Sequence, residues 1–345
     1  MQPNYSDCFS ASIFLYTKLS GSGYRLLKTV LISFLLLLFS SESFAQQRYL
    51  DSLFSVDVAT YTYAEKPDEN LALDVYTPQN DQDSQRPLLL YVHGGGFSGG
   101  QRDSEVNRQF CHQVAQRGYV AVSMSYTLTM KGQSFSCDQP TPNKIETFRQ
   151  AANDIARATQ FLISQRSELG IDTTRIVLAG SSAGAEAILH AAYWPETRLA
   201  GDTRLLSEDF RYAGLISMAG ALVSLDWITE ETAIPSQFFH GTCDNLVPYG
   251  EAPHHYCTVG EPGYMPLFGA EAITAKLREL GKSYYLHTVC GGRHEWAGRP
   301  KANNLAEITD FLYRDVLQQK FRQLHIVQSF GQEPCSEYPE FNYCE

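Results

Sequence analysis

The fold of this chain is organised around Ile176-Val-Leu-Ala-Gly-Ser-Ser-Ala-Gly184, where four apolar residues run directly into a Gly-x-Ser-x-Gly pentapeptide. Strong helix formers follow from Ala185 to Ala192. This order predicts a buried strand, a tight turn and a helix, with Ser182 at the centre of the turn. Small residues on both sides let the backbone bend sharply enough to expose the Ser182 hydroxyl, and the helix directs its positive end at the same point. The pentapeptide alone also allows a glycine- and serine-rich turn without chemistry.

Strand and helix patterns alternate on both sides of this turn. Residues 58–63 and 71–76 alternate in polarity, as in an antiparallel hairpin at a sheet edge. The apolar run 87–92 is typical of a strand buried on both faces, and further strands are expected at 119–126, 176–179, 213–218, 237–240 and 284–289. Helices are expected at 104–117, 144–168, after Ser182, at 270–280 and at 303–319. The pattern predicts an α/β fold, a mostly parallel sheet with an antiparallel lead-in and helices on both faces.

The 345 residues are enough for one large α/β domain or two small ones. Because no internal repeat or low-complexity linker interrupts the pattern, we expect a single α/β domain over residues 46–322, followed by a cysteine-bearing tail at 323–345. The net charge of −11 argues against a nucleic-acid-binding surface, which would need a basic patch.

The first 45 residues have the features of a secretory signal peptide. Arg25 and Lys28 precede the apolar run 29–39, and Ser43-Phe-Ala45 places small residues at the two key positions of a cleavage site. The apolar run is shorter than the roughly 18 residues that a transmembrane helix needs. We therefore expect cleavage near Ala45, export, and no stable membrane span in the mature form. The long stretch before Arg25 leaves two alternatives open, a translation start further downstream or an uncleaved signal that anchors the protein.

Export makes disulfides the expected state of the cysteines, whose spacing lacks the close pairs of a zinc site. Because the predicted mature chain has an odd number of them, at least one should be free or pair between chains. We expect Cys243–Cys257, which closes a loop of the size for which a disulfide contributes roughly 3 kcal/mol, and Cys335–Cys344 within the tail. The mature cysteines are Cys111, Cys137, Cys243, Cys257, Cys290, Cys335 and Cys344.

A serine hydroxyl is a useful nucleophile only when a base accepts its proton and a third group orients that base. His294, in Cys290-Gly-Gly-Arg-His-Glu-Trp296, lies in the loop directly after the last predicted strand. Such a loop opens at the carboxyl edge of a parallel sheet, which is the same edge as Ser182. His294 is therefore the candidate base.

The remaining histidines have weaker contexts. His240 ends a strand and His190 lies on the helix after Ser182, so both are expected to be structural. His254 and His255 lie between two cysteines, where surface positions are favoured over substrate contacts. The context of three others supports no role: His112, His287 and His325.

Asp244 is the candidate acid, in His240-Gly-Thr-Cys-Asp-Asn-Leu-Val-Pro248. It follows a predicted strand closely enough to accept the Nδ1 proton of His294 and to stabilise the imidazolium. A turn-forming Asp-Asn pair is the alternative explanation. Asp226, in Ser224-Leu-Asp-Trp227, is the competing acid, although it lies further from the end of its strand.

Three glycines, Gly94 to Gly96, follow the buried strand 87–92 and allow backbone amides to approach a substrate closely. Their N–H groups, with that of Ala183, are candidate donors to the oxyanion of a tetrahedral intermediate. His93 is expected to hold this loop by hydrogen bonds. Four aromatic residues either line an acyl pocket or pack in the core: Phe97, Trp194, Trp227 and Tyr249.

These motifs together resemble the α/β-hydrolase superfamily, and within it the carboxylesterase and lipase branch with bacterial feruloyl and acetyl esterases. The resemblance covers about residues 70–320 and includes the chain order Ser, Asp, His. Cys243 beside the acid is unusual, and no sizeable cap domain is visible between Gly220 and Pro235. The implied roles are Ser182 as nucleophile, His294 as base, Asp244 as orienting acid, and Gly95, Gly96 and Ala183 as oxyanion donors.

The resemblance implies a secreted serine ester hydrolase that forms an acyl-enzyme, needs no metal or cofactor and acts on a small-molecule or carbohydrate-linked ester. A serine peptidase of related fold is an alternative, although such enzymes usually carry an appended recognition domain for which the chain leaves no room. A non-catalytic binding relative is the other alternative, although such relatives typically lose a triad residue or the glycine loop.

Overall fold

The computed structural model describes residues 47–67, 69–200, 203–329 and 344. The predicted signal segment and most of the predicted tail therefore lie outside the described residues. Within the described ranges, no helix is both long enough and apolar enough to cross a membrane.

The described strands and helices follow one another in regular alternation. The strands are β1 (Val56–Glu65), β2 (Asn70–Pro78), β3 (Arg86–Val92), β4 (Val120–Met124), β5 (Ile171–Ser181), β6 (Leu199–Ala200), β7 (Thr203–Arg204), β8 (Gly214–Met218), β9 (Ser236–Gly241), β10 (Glu251–Pro253), β11 (Pro266–Phe268), β12 (Tyr284–Cys290) and β13 (Gln323–Ser329). The α-helices are α1 (Glu105–Ala115), α2 (Thr141–Ser164), α3 (Arg166–Leu169), α4 (Ala183–Tyr193), α5 (Ala270–Glu279), α6 (Pro300–Asn303) and α7 (Leu305–Phe311), which continues into a π-helical turn, Leu312–Leu317.

Among the described residues, nine strands form the central sheet in the order β1-β2-β4-β3-β5-β8-β9-β12-β13. The pairs β1–β2 and β2–β4 are antiparallel, and all the other pairs in this sheet are parallel. The predicted α/β architecture, a mostly parallel sheet with an antiparallel lead-in, is therefore confirmed.

The central strand β3 shows why the sheet needs helices on both faces. Leu88 and Leu90 pack into one hydrophobic cluster, and Leu89 and Tyr91 pack into another on the opposite face. Successive side chains of a strand point to opposite faces, so a continuous apolar run must be covered on both sides. Helices α2 and α4 contribute to the first cluster, and α1 and α7 contribute to the second.

Four parallel strands end at one edge of the sheet and bring the polar segments of the sequence together. The glycines after Val92 follow β3, and Ser182 follows β5. Asp244 lies in the loop after β9, and His294 lies in the loop after β12. The carboxyl ends of the strands in an open α/β sheet form the usual position of a binding crevice.

The strand β13 was not predicted, because the sequence analysis assigned residues from 323 onward to a tail. Gln323 to Ser329 pair in parallel with β12 at the edge of the sheet. Most of their side chains are only partly buried. A half-exposed edge strand lacks the continuous apolar run by which the buried strands were recognised.

Both predicted disulfides are wrong. Cys257 pairs with Cys137 instead of Cys243, and Cys344 pairs with Cys290 instead of Cys335. The pairing follows spatial neighbours, since the loop after β4 contacts the loop after β10 through the Gly263 N–H, which donates to the carbonyl of Cys137 at 2.9 Å.

Of the described cysteines, Cys111 is a buried free thiol, as the odd number required for at least one residue, and Cys243 is disulfide-bonded.

The Cys137–Cys257 disulfide is expected to contribute strongly to stability, because it joins residues 120 positions apart. Replacing both cysteines by serine should lower the free energy of unfolding by about 4 kcal/mol, mainly by freeing the unfolded chain. Denaturant unfolding without reductant measures this loss. The control, Cys111→Ala, keeps the disulfide and should cost less than about 1.5 kcal/mol. Equal losses in the two proteins would contradict the prediction.

Candidate active site

Ser182 occupies the sharp turn between β5 and α4. Its backbone has φ 51° and ψ −125°, a left-handed conformation that non-glycine residues rarely adopt. The turn is held from both sides, since the Ser182 N–H donates to the Met218 carbonyl at 2.8 Å and its carbonyl accepts from the Glu186 N–H at 2.9 Å. Strain of this kind persists only where the surroundings enforce it, and it is common at active sites.

Two glycines make this turn possible. A Cβ on Gly184 would lie 2.2 Å from the Val92 carbonyl oxygen, and one on Gly180 would lie 2.4 Å from the Gly184 carbonyl oxygen. Real Cβ atoms do not approach backbone oxygens this closely, so α4 packs against the end of β3 only when both positions lack a side chain. The Gly-x-Ser-x-Gly pattern is thus a packing requirement of the turn.

The structure brings Ser182, His294 and Asp244 into one hydrogen-bonded chain. The Ser182 hydroxyl donates to Nε2 of His294 at 2.8 Å. Nδ1 of the same ring donates to Asp244 Oδ2 at 2.8 Å and lies 3.0 Å from Oδ1. A ring that carries its proton on Nδ1 leaves Nε2 free to accept the serine proton. This arrangement can activate a serine hydroxyl.

Asp244 is fully buried and held by several donors. The backbone N–H groups of Leu246 and Val247 donate to its Oδ1 at 2.9 and 3.0 Å. Burial acts to raise the pKa of Asp244, but hydrogen bonds from His240 and His294 outweigh it and hold that pKa below its usual range. The carboxylate therefore stays ionised beneath the imidazole ring.

The competing acid, Asp226, lies elsewhere. It is exposed on a short 3₁₀ turn, Leu225–Trp227, where its N–H donates to the Ser224 hydroxyl. Its role is that of the turn-forming residue that the sequence analysis considered for Asp244.

His240 has a part that the sequence did not reveal. The ring is buried, and its Nε2 lies 3.3 Å from Asp244 Oδ2 and 3.1 Å from the Val247 carbonyl. It stands four residues before Asp244, at the end of β9, so the spacing was a usable signal. His240 supports the acid as a structural neighbour.

The glycine loop after β3 turns back on itself. Gly95 has φ 125°, and a Cβ there would lie 2.2 Å from the Gly99 carbonyl oxygen. The Gly95 carbonyl accepts from the N–H groups of Ser98 and Gly99 at 3.1 and 3.0 Å. Gly95, Gly96 and Ala183 all line the cleft beside Ser182. The Ala183 N–H belongs to the first turn of α4 and has no partner within that helix.

His93 holds this loop from below. It is buried, its Nδ1 donates to the Gly94 carbonyl at 2.8 Å, and its own carbonyl accepts from the Tyr126 hydroxyl at 3.0 Å. Burial lowers the pKa of His93, which keeps the ring neutral. These contacts are the hydrogen bonds expected from the sequence.

The cleft above Ser182 has a volume of about 910 Å³, and one wall carries a buried polar cluster. His254 Nε2 lies 3.5 Å from Glu186 Oε1, and Lys144 Nζ lies 3.4 Å from His254 Nδ1. Burial raises the pKa of Glu186 and lowers the pKa values of His254 and Lys144. Glu186 is therefore a neutral carboxylic acid at neutral pH, available to donate a hydrogen bond.

The expectation that His254 is a surface residue is wrong, because only 1% of it is exposed. His254 lines the cleft together with His255, and Cys257 ties their loop to the loop after β4. Glu186 was also missed, although a lone acid in the apolar segment Ala183–Tyr193 is visible in the sequence.

The four candidate aromatic residues pack in or against the core instead of lining the cleft. Trp194 and Trp227 stack with ring centroids 5.1 Å apart, and Phe97 contacts Phe148 at 5.6 Å. Tyr249 is buried against Thr288. Phe135, which the sequence analysis did not single out, is the aromatic residue on the cleft wall.

Within the described residues, one group of side chains has the spacing of a metal site: Cys137, Cys257 and Glu261. Two of its three ligands are the sulfurs of a disulfide, which are not thiolates and do not fit a metal ion.

Solved structures of esterase 2 from Thermogutta terrifontis share this architecture. One of them aligns with a TM-score of 0.54 at 19% identity, covering 79% of this chain and 95% of that chain. The chain is an α/β-hydrolase. This α/β-hydrolase also matches the BD-FAE family model over residues 73–222.

Sequence relatives of this α/β-hydrolase include esterases and lipases. Lipase 2 of Moraxella sp. is 35% identical over 28% of this chain and 19% of the relative. Ethyl acetate hydrolase of Pseudomonas putida is 31% identical over 31% of this chain and 29% of the relative. Lysophospholipase-like protein 1 of Mus musculus is 26% identical over 60% of this chain and 79% of the relative. The matches to the first two span less than a third of those proteins.

The close approach of α4 to β3 can be tested by adding one methyl group. Gly184→Ala should lower the free energy of unfolding by about 3 kcal/mol, because the added Cβ collides with the Val92 carbonyl. Gly99→Ala is the control, since no heavy atom lies within 4 Å of a Cβ built there, and it should change stability by less than about 0.5 kcal/mol. Denaturant unfolding compares the two variants. Equal stability of both would contradict the packing requirement.

Proposed function

We propose that this α/β-hydrolase is an exported serine carboxylesterase that works through an acyl-enzyme. The observation that carries the proposal is the continuous hydrogen-bond chain from Ser182 through His294 to Asp244 at the floor of an open cleft. The esterase and lipase relatives support the same reaction class.

In the first half of the reaction, Ser182 Oγ attacks the ester carbonyl carbon while His294 Nε2 takes the hydroxyl proton. Asp244 stabilises the resulting imidazolium through Nδ1. The tetrahedral intermediate then expels the alcohol, which receives its proton from His294, and the acyl group remains on Ser182. Water repeats the sequence in the second half and releases the acid.

The negative oxygen of each intermediate needs preorganised donors. The N–H groups of Gly95, Gly96 and Ala183 lie along the cleft at the amino end of α4, whose dipole has the favourable sign. Losing one such donor typically costs about 3–4 kcal/mol of transition-state stabilisation. The glycine loop and the serine turn thus serve one charge from two sides.

Short acyl groups are the first substrates to test, with acetylated and feruloylated carbohydrates next. Propionate and butyrate are bound in structures of the Thermogutta terrifontis esterase. The neutral acid Glu186 on the cleft wall supports an ester with a polar part.

Export is the proposed location. The signal features of residues 1–45 and the disulfides Cys137–Cys257 and Cys290–Cys344 support it, because disulfides persist mainly in oxidising compartments.

The mature protein should hydrolyse 4-nitrophenyl acetate and butyrate. Ser182→Ala should abolish turnover because it removes the nucleophile, and Asp244→Asn should lower kcat by about 10⁴-fold because His294 loses its orienting partner. Steady-state kinetics on purified, folded variants measures both effects.

The matched control is Asp226→Asn, which makes the same chemical change at the exposed turn and should leave kcat within about twofold. Absence of turnover in the wild-type protein would refute the esterase assignment. A large loss in Asp226→Asn with little loss in Asp244→Asn would reassign the acid.

A further inference from the structure

Lys301 is a buried cation in the wall of the cleft. It lies on the short helix α6, and only 8% of the residue is exposed. It lines the same cleft as Ser182, together with the polar residues Gln101 and Ser104. Lysines are rarely buried this deeply unless they are paired, so the position needs an explanation.

The ammonium group has neutral partners only. Nζ donates to the Tyr91 hydroxyl and to Asn107 Oδ1, both at 2.7 Å. An ammonium has three hydrogens, so these two bonds leave one unused among the described residues. No described carboxylate lies within 4.0 Å of Nζ, in contrast to Lys66, which pairs with Asp154 at 2.7 Å.

The charge of Lys301 is retained at neutral pH but is not compensated. Burial lowers the pKa of Lys301 to about 8, which leaves the group mainly protonated at pH 7. The neighbouring Cys111 thiol supplies no negative charge, because burial raises its pKa far above its usual range. A buried charge without a counter-charge is costly, and an anion that enters the cleft would relieve that cost.

The lysine is close to the reacting serine. The Tyr91 hydroxyl that accepts from Lys301 donates in turn to the Ser181 hydroxyl at 3.0 Å. Two hydrogen bonds therefore separate the ammonium from the residue next to Ser182. A small ester whose carbonyl lies at Ser182 can extend a second group to Lys301.

We propose that Lys301 is a specificity residue that binds a carboxylate carried by the substrate, so that the preferred esters are anionic. This inference rests on the proposed ester hydrolysis and narrows its substrate class. A single ammonium hydrogen suits a singly charged carboxylate better than a phosphate dianion, which usually needs several donors. The opposite wall offers no repulsion, because Glu186 is neutral.

The test compares pairs of substrates that differ only in charge. One pair is 4-acetoxybenzoate and 4-acetoxybenzamide, with the charge on the alcohol side. The other is the mono-4-nitrophenyl ester of adipic acid and its neutral amide analogue, with the charge on the acyl side. For at least one pair, wild-type kcat/KM should favour the anionic member by on the order of 10- to 100-fold, the range of one charge-assisted hydrogen bond.

Two variants remove the free charge in different ways. Lys301→Met deletes it, and Asn107→Asp supplies an internal counter-charge of nearly the same shape at a residue that already contacts Nζ. Both should reduce the preference to about onefold while neutral esters are still hydrolysed. Asn107→Asp keeps the test usable if Lys301→Met does not fold. The control, Lys276→Met, removes an equal charge beside Glu279 on α5 and should keep the preference.

The possible failures are distinguishable. If the wild-type protein hydrolyses neither member of any pair, the proposed function itself fails. If it hydrolyses them without an anionic preference, or if the preference persists in Lys301→Met or Asn107→Asp, the esterase assignment stands and the assignment of Lys301 is overturned.

Discussion

The close contact between the start of α4 and the end of β3 is the constraint on which the rest of the site depends. Gly184 packs so tightly against the Val92 carbonyl that no side chain fits between them. This contact, with the hydrogen bond from Ser182 to Met218, holds Ser182 at φ 51°. The strained turn lifts one hydroxyl out of the sheet toward His294. The free energy of a well-packed central sheet is thus used to hold one residue in an unfavourable conformation.

Electrostatics divides the cleft into regions with different tasks. Beneath His294, two backbone amides and His240 keep Asp244 ionised. On one wall, burial keeps Glu186 neutral, and on the other it leaves Lys301 charged without a counter-charge. The first arrangement serves a reaction, whereas the two walls can only serve recognition. Chemistry and specificity therefore depend on different buried groups, which mutations can separate.

Much of this organisation was predictable from the sequence, since periodicity identifies buried strands and strand ends converge at one edge of a parallel sheet. That rule is why Ser182, Asp244 and His294, far apart in the chain, were expected as neighbours. It does not apply to loops that contact each other across the edge, so the pairing of Cys137 with Cys257 and the burial of His254 were not predictable. The strand β13 was missed because half-exposed edge strands lack a continuous apolar run.

The central claim is that the strained turn makes Ser182 a reactive nucleophile, and covalent labelling tests it without any assumption about the substrate. The mature protein should be treated with a fluorophosphonate and analysed by intact-mass and peptide mass spectrometry. The account predicts one adduct per chain, on the peptide that contains Ser182, and none in Ser182→Ala. An unlabelled wild-type protein, or an adduct on another residue that persists in Ser182→Ala, would contradict it.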